Sequence, residues 1–125
     1  MGTPRIGVDL VKIKRMTDAI EKHGEGFLSR VFTEGEVAYC EAHPRRKFEH
    51  YAGRFAAKEA FYKAVQPREA RIRFRNLEVK NLPNGAPEFF IEEEERKRLG
   101  LSPDSRITVS LSHDTDYAIA VVLIT

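Results

Sequence analysis

Two carboxylates stand where carboxylates are expensive. Glu59 lies in the run Arg54-Phe55-Ala56-Ala57-Lys58-Glu59-Ala60-Phe61-Tyr62-Lys63-Ala64. Ala, Lys, Glu and Arg dominate it and no Gly or Pro interrupts it, so it reads as helix. At about 100° per residue, Glu59 falls between the directions of Phe48 and Phe55 and those of Ala52 and Ala56, and the helix is expected to be buried on several sides. Asp9 lies in Arg5-Ile6-Gly7-Val8-Asp9-Leu10-Val11, which alternates like a strand, with Ile6, Val8 and Leu10 on one face and Gly7, Asp9 and Val11 on the other. Asp is disfavoured inside strands, and Gly7 permits another backbone or a ligand to approach closely. A buried carboxylate needs a partner charge or a metal. Two isolated carboxylates, with Arg54, Lys58 and Lys63 nearby, suit a hard cation bridging to phosphate oxygens. Magnesium binds in that manner, through one or two carboxylates plus substrate phosphates and waters. Spacing alone leaves an alternative open, in which Asp9 caps a turn and Glu59 pairs with Lys63 four residues on.

The elements that would position these groups can be read along the chain. A strand near residues 5–12 leads into a helix around 14–23, with Met16, Ala19 and Ile20 as its apolar stripe. His23-Gly24 ends it, and a short helix near 26–31 carries Phe27, Leu28 and Val31. Thr33-Glu34-Gly35-Glu36 is a capping box opening a helix to about Ala42, with Pro44 marking the exit. The long helix runs from about Lys47 to Val65 and stops before Pro67. Strands near 72–82 and 87–91 flank Pro83-Asn84-Gly85, a hairpin turn signal. Glu92 to Leu99 reads as a short charged helix ended by Gly100, its acidic start favourable to the helix dipole. Strands near 106–112 and 117–124 close the chain around Asp114-Thr115-Asp116. Helices among mostly hairpin-connected strands predict one α+β domain over residues 1–125, its antiparallel strands packed on a long central helix.

Composition narrows the function classes. The chain has 125 residues, 42% hydrophobic and 32% charged, which fits a globular domain rather than a disordered one. Its net charge of +2 is too small to argue for nucleic acid as a partner. No apolar run reaches the ~20 residues of a membrane span, and no signal-peptide pattern is read before the first strand. The single Cys40 cannot form an internal disulfide. A cytoplasmic protein with neither membrane nor nucleic acid as partner is expected.

Three motifs carry a resemblance. Gly7-Val8-Asp9-Leu10-Val11 with Ile13 and Arg15, then Arg54-Phe55-Ala56-Ala57-Lys58-Glu59-Ala60, then Ser110-Leu111-Ser112-His113, resemble in order and spacing those of the holo-[acyl-carrier-protein] synthases. That family is the short, bacterial-type branch of the 4′-phosphopantetheinyl transferase superfamily. The resemblance runs from Ile6 to about Leu123. It implies the family's fold and transfer of 4′-phosphopantetheine from coenzyme A to a serine of apo-acyl carrier protein in fatty-acid biosynthesis. Adenosine 3′,5′-bisphosphate would be released. Magnesium would be required, and the protein would form a homotrimer with sites between subunits. It further implies Asp9 and Glu59 as magnesium ligands, Lys58 and Arg54 beside the coenzyme A phosphates, and His113 near the pyrophosphate or nucleotide. Arg46 and Lys47 would serve the adenosine and 3′-phosphate. Catalytic roles fall to Glu59, through a water as one candidate base beside a metal-activated water as another, and to Lys58. Arg15 matches a position used for the carrier protein. Lys22 and Arg30 extend that basic docking face by charge.

The chain departs from the family pattern twice. Gln66-Pro67-Arg68-Glu69-Ala70 replaces a glycine-rich turn after the central helix, and Asp114 follows His113 where threonine is common. Plainer readings stand beside the functional ones. Lys58 could snorkel to solvent, His113 could be an ordinary hairpin histidine, and Arg68, Arg71, Arg73 and Arg75 could form a solvated face. Alternation places the last three on one side of a strand. From another class, a non-catalytic module binding a nucleotide or an acidic protein would need the same basic residues.

Overall fold

The computed structural model describes residues 3–66 and 71–125. Its order is β1 (Arg5–Lys12), α1 (Ile13–Val31), α2 (Glu34–Glu41), α3 (Lys47–Val65), a 3-10 turn (Phe74–Asn76), β2 (Leu77–Asn81), β3 (Pro87–Ile91), α4 (Glu93–Arg98), β4 (Ile107–Asp114) and β5 (Tyr117–Ile124). β5 lies between β1 and β4 in an antiparallel sheet, and β2 and β3 form a separate hairpin. The protein is α+β, with α3 laid across the three-stranded sheet.

Small residues permit that packing. Ala52, Ala56, Ala57, Ala60 and Ala64 of α3 are buried against Ala118, Ala120 and Val122 of β5 and their neighbours. Gly7 of β1 meets the helix backbone itself. A Cβ there would sit 1.9 Å from the Ala60 carbonyl oxygen and 2.8 Å from the Ala64 nitrogen, so only glycine allows this approach. The strand alternation thus resolves into an inner face bearing Gly7, Asp9 and Val11 and an outer face bearing Ile6, Val8 and Leu10. The outer three are 66%, 50% and 60% exposed.

One expected boundary holds and another changes. The break expected at Gly24 is present: its φ of 56° and ψ of −135° are non-helical and divide α1 into two helical segments, in a left-handed region that glycine tolerates. The strand expected over 72–82 begins only at Leu77. Before it, Asn76 N–H donates to Arg73 O (2.9 Å) and closes a turn, while the Phe74 carbonyl accepts from the Lys58 ammonium. Ile72 and Phe74 still pack toward the core while Arg71, Arg73 and Arg75 point outward. Arg68 and most of the glycine-free segment after α3 lie outside the described residues. No described helix is long and apolar enough to cross a membrane.

Candidate active site

The contact between Gly7 and α3 sets two carboxylates side by side. Asp9 stands two residues beyond Gly7 on the same inner face of β1. Glu59 immediately precedes Ala60, the residue Gly7 touches. Both line a cavity of about 290 Å³ closed by Met16 and Phe27 of α1 and Phe55 of α3, with Arg15 on its wall. Burial, and then the Asp9 charge, push the Glu59 carboxyl above its ordinary value, while Lys63 pulls it back.

Lys63 decides the alternative that spacing left open, because it does not pair with Glu59. Its ammonium donates to Val8 O (3.0 Å) and Asp9 Oδ1 (3.2 Å). The helical spacing pointed it to Glu59, but the strand lies closer to its reach. The cavity wall therefore carries two carboxylates and the Arg15 guanidinium, with the Lys63 ammonium flanking Asp9.

Lys58 requires a correction. Its side chain is completely buried and reaches neither solvent nor the cavity. The ammonium gives its three protons to Glu36 Oε1 (2.5 Å), Val31 O (2.8 Å) and Phe74 O (2.9 Å). Burial pushes its pKa down, and the Glu36 charge opposes that shift. With every donor used inside the protein, Lys58 has none left for a phosphate. Glu36 completes the lock. It accepts from Thr33 N–H (2.9 Å) as the capping box predicts, and its other oxygen accepts from Val79 N–H (2.7 Å). One buried ion pair thereby fastens α1, α2, α3, β2 and the 3-10 turn. The capping box was the sequence signal for Glu36; nothing in it showed the lysine.

The other basic residues gather elsewhere. Arg54 is five positions before Glu59, about 140° round the helix at 3.6 residues per turn, and does not line the carboxylate cavity. It is buried, donates to Asn81 Oδ1 (2.6 Å), stacks 4.3 Å from the Tyr39 ring, and its Nε has no partner among the described residues. His113, at the end of β4, has Nδ1 3.7 Å from Glu49 Oε2, which has no hydrogen-bond partner among the described residues. Burial lowers the His50 pKa, and the charges of Arg54, His43 and His113 lower it further, so these groups share one region. Arg46 is exposed at the start of α3, and Lys47 pairs with Glu41 (3.3 Å). Within one chain, Arg54 and His113 form a second cluster around His50, separate from Asp9 and Glu59, and Arg46 and Lys47 stand at the start of the same helix. Of the remaining positions, Arg15, Lys22 and Arg30 are exposed on α1.

Two carboxylates on a strand and a helix, beside a sheet crossed by a central helix, define a class. The family model of the 4′-phosphopantetheinyl transferase superfamily matches residues 5–122, and the chain belongs to that superfamily. Within it the chain is similar to the holo-[acyl-carrier-protein] synthases. It is 41% identical over 120 residues to that of Thermodesulfovibrio yellowstonii, covering 96% of each chain. It is 39% identical over 118 residues to that of Halothermothrix orenii, covering 94% of each. Among solved structures, the coenzyme A complex of the synthase described as from Chronobacterium ammoniagenes superposes with a TM-score of 0.85 at 32% identity, over 98% of this chain and 97% of that one. The Helicobacter pylori synthase, also in complex with coenzyme A, gives 0.82 at 29% identity, over 96% and 99%.

Proposed function

We propose that this chain, as one domain over residues 1–125, transfers 4′-phosphopantetheine from coenzyme A to a serine of apo-acyl carrier protein in fatty-acid biosynthesis, in the cytoplasm. The observation that carries this reading is the pairing of Asp9 and Glu59 on the wall of one cavity, in a chain of this superfamily. The donor set fits magnesium. Among the described residues no group of three or more His, Cys, Asp or Glu forms a complete protein cage, so a hard cation here takes its other ligands from phosphate and water. Bound between Asp9 and Glu59, magnesium would neutralise charge on the diphosphate as the phosphoryl group moves.

The chain's own residues supply positioning and proton transfer. Lys63 holds the Asp9 carboxylate in place, and about half of its side chain stays exposed. The acceptor serine oxygen bonds to the pantetheine-side phosphorus. The bridging P–O bond breaks, and its oxygen leaves with adenosine 3′,5′-bisphosphate. Glu59, its carboxyl raised by burial, takes the serine proton through a water. Arg54 and His113 offer cationic or donor groups to the phosphates, and Arg46 and Lys47 to the adenosine 3′-phosphate. Arg15 on the cavity wall, with Lys22 seven residues on, begins the docking face for the carrier protein, and Arg30 continues it.

The separation of the two clusters supports a site shared between chains. So does the outer face of the sheet, where Ile6 opposes Leu123, Val8 opposes Val121 and Leu10 opposes Ile119. Five of these six are exposed, and a continuous apolar face of this kind favours association. A homotrimer would cover it and bring one chain's basic cluster to its neighbour's carboxylates. The test is transfer by Asp9→Asn and Glu59→Gln at saturating magnesium, read from the mass of the carrier protein. Both variants are expected to stay folded and to lose transfer. Near-normal transfer by both would remove the carboxylates from the mechanism, and no transfer by the wild type would favour a non-catalytic binding module.

A further inference from the structure

Of the chain's 4 histidines, His43, His50 and His113 act on one another where α2 meets α3. Tyr39 and His43 stand four positions apart across the end of α2, and His50 and Arg54 four apart on α3, so each pair lies along one face of its own turn. The two pairs meet. The His43 ring lies 4.5 Å from that of Tyr39 and 5.1 Å from that of His50, Tyr39 and His50 are 5.1 Å apart, and Arg54 stacks on Tyr39. The turn itself fixes this corner, because Arg46 N–H donates to His43 O (3.0 Å) and His50 N–H to Arg46 O (3.0 Å). His113 approaches from β4, closely enough for its charge to act on His50.

The rings have room for a proton and little charge to hold it. His43 Nδ1 lies 2.7 Å from Tyr39 O. A carbonyl only accepts, so Nδ1 is the donor and the other ring nitrogen of His43 is left to take a proton. The groups facing His50 come from four elements. Arg54 and Glu49 belong to α3, His43 to the turn after α2, and His113 to β4, while Tyr39 of α2 brings no charge. Glu41 of α2 is held by Tyr51 and Lys47. Burial, then the charges of Arg54, His43 and His113, hold the His50 ring below its ordinary value, and Glu49 alone among these groups pushes it up. With the His43 and His50 rings this close, charge on one opposes charge on the other, and the pair holds one proton more readily than two.

A bound phosphate reverses that balance. Arg54 and His113 are the groups proposed above to face the donor's phosphates, and His50 lies in the field of both. An anion held by them favours the charged imidazole. We infer that the donor binds together with a proton taken up on the His43–His50 pair, so that affinity for the donor rises as pH falls through neutrality. The inference rests on the proposed transfer from coenzyme A and adds a regulation to that site. Linkage makes the effect reciprocal, since the donor raises proton affinity by the factor by which the proton raises donor affinity.

The probe is adenosine 3′,5′-bisphosphate, which carries the nucleotide phosphates without the thiol. Its Kd is measured by calorimetry at pH values of about 6.5 and about 8, across the range where imidazoles titrate. Wild type is compared with His43→Asn/His50→Phe, in which Asn keeps a donor for Tyr39 O and Phe keeps a ring that cannot be protonated. A phosphate monoester loses its second proton at about pH 6, so the probe's own charge is nearly constant over this range. The wild-type Kd is expected to be about fivefold weaker at the higher pH, within the limit of about tenfold per pH unit for one linked proton. The variant's two values should agree within about twofold. Calorimetry in two buffers of different ionisation enthalpy should show net proton uptake by wild type and less by the variant. A thermal melt checks the variant's fold, and NMR titration of the wild-type histidines needs no variant: the bisphosphate should move the His50 midpoint to higher pH. A Kd independent of pH, equal uptake by wild type and variant, or an unmoved His50 midpoint would overturn the inference, and the functional reading would stand wherever the carrier is still modified. If wild type neither binds the bisphosphate nor modifies the carrier at either pH, the functional reading fails and the inference with it.

Discussion

Replacing Lys58 with methionine should unfold the protein more readily rather than weaken its hold on coenzyme A. Methionine keeps the length of the side chain and removes the ammonium. Glu36 would remain buried without its counter-charge, and the carbonyls of Val31 and Phe74 would each lose a donor. Removing one partner of a buried ion pair costs about 3–5 kcal/mol, a large share of the roughly 5–15 kcal/mol that holds a domain folded. At this chain length that corresponds to a fall in Tm of roughly 10–20 °C. Glu36→Gln should also destabilise, and Glu36→Gln/Lys58→Met should lose less than the sum of the single losses, because neither is then an isolated buried charge. Urea unfolding of the four proteins, at one protein concentration so that assembly does not confound them, measures the cycle. The donor KM of the folded fraction should match wild type. A loss below about 1 kcal/mol, the scale of an exposed ion pair, together with a raised donor KM would put the ammonium on the phosphates and refute the assignment.

Three further outcomes follow from the same geometry. The Glu59 carboxyl lies above its ordinary 4.5 in the folded protein, so its favourable contribution is complete below that pH and is lost as pH rises through the folded value. Glu59→Gln should therefore melt higher than wild type at pH 7, with the difference closing toward pH 4, and magnesium with coenzyme A should raise the wild-type Tm but not the variant's; identical melting at every pH would contradict the burial argument. Val8→Asp places a charge on the half-exposed outer sheet face and should convert a trimer to monomers by light scattering, while an unchanged mass would put the interface elsewhere. Replacing Arg46 or Lys47 with Ala should shrink the preference for coenzyme A over dephospho-coenzyme A by about tenfold, the scale of a charge-assisted contact to phosphate; an unchanged preference in both would remove them from the 3′-phosphate.

Much of the architecture was legible because periodicity and punctuation agree with the packing. β1 and α3 could be read from alternation and from an alanine-rich run, and Gly7 announced the close approach that brings Asp9 beside Glu59. The capping box at Thr33 and Glu36 formed as expected. What the sequence withheld were contacts between distant segments. Lys58 and Glu36 are 22 positions apart, and neither periodicity nor spacing tells a snorkelling lysine from one turned inward. Lys63 likewise had a local partner by helical spacing and took a distant one, because the strand beside α3 presents Asp9 and the Val8 carbonyl together. The start of β2 moved for the same reason. Residues 72–76 alternate as a strand would, but the Phe74 carbonyl is occupied by Lys58 rather than by a neighbouring strand. The split between the carboxylate cavity and the Arg54–His113 cluster also required the structure, since both map to one helix and one sheet in the sequence.

The most direct test of the central claim is a single incubation of the wild-type protein with coenzyme A, magnesium and apo-acyl carrier protein, followed by intact-mass and peptide mass spectrometry of the carrier and chromatography of the small molecules. The expected products are one added 4′-phosphopantetheine on one serine of the carrier and adenosine 3′,5′-bisphosphate released in equal amount, with neither formed when Asp9→Asn replaces wild type. A carrier of unchanged mass, or a mass gain undiminished by Asp9→Asn, would contradict the claim.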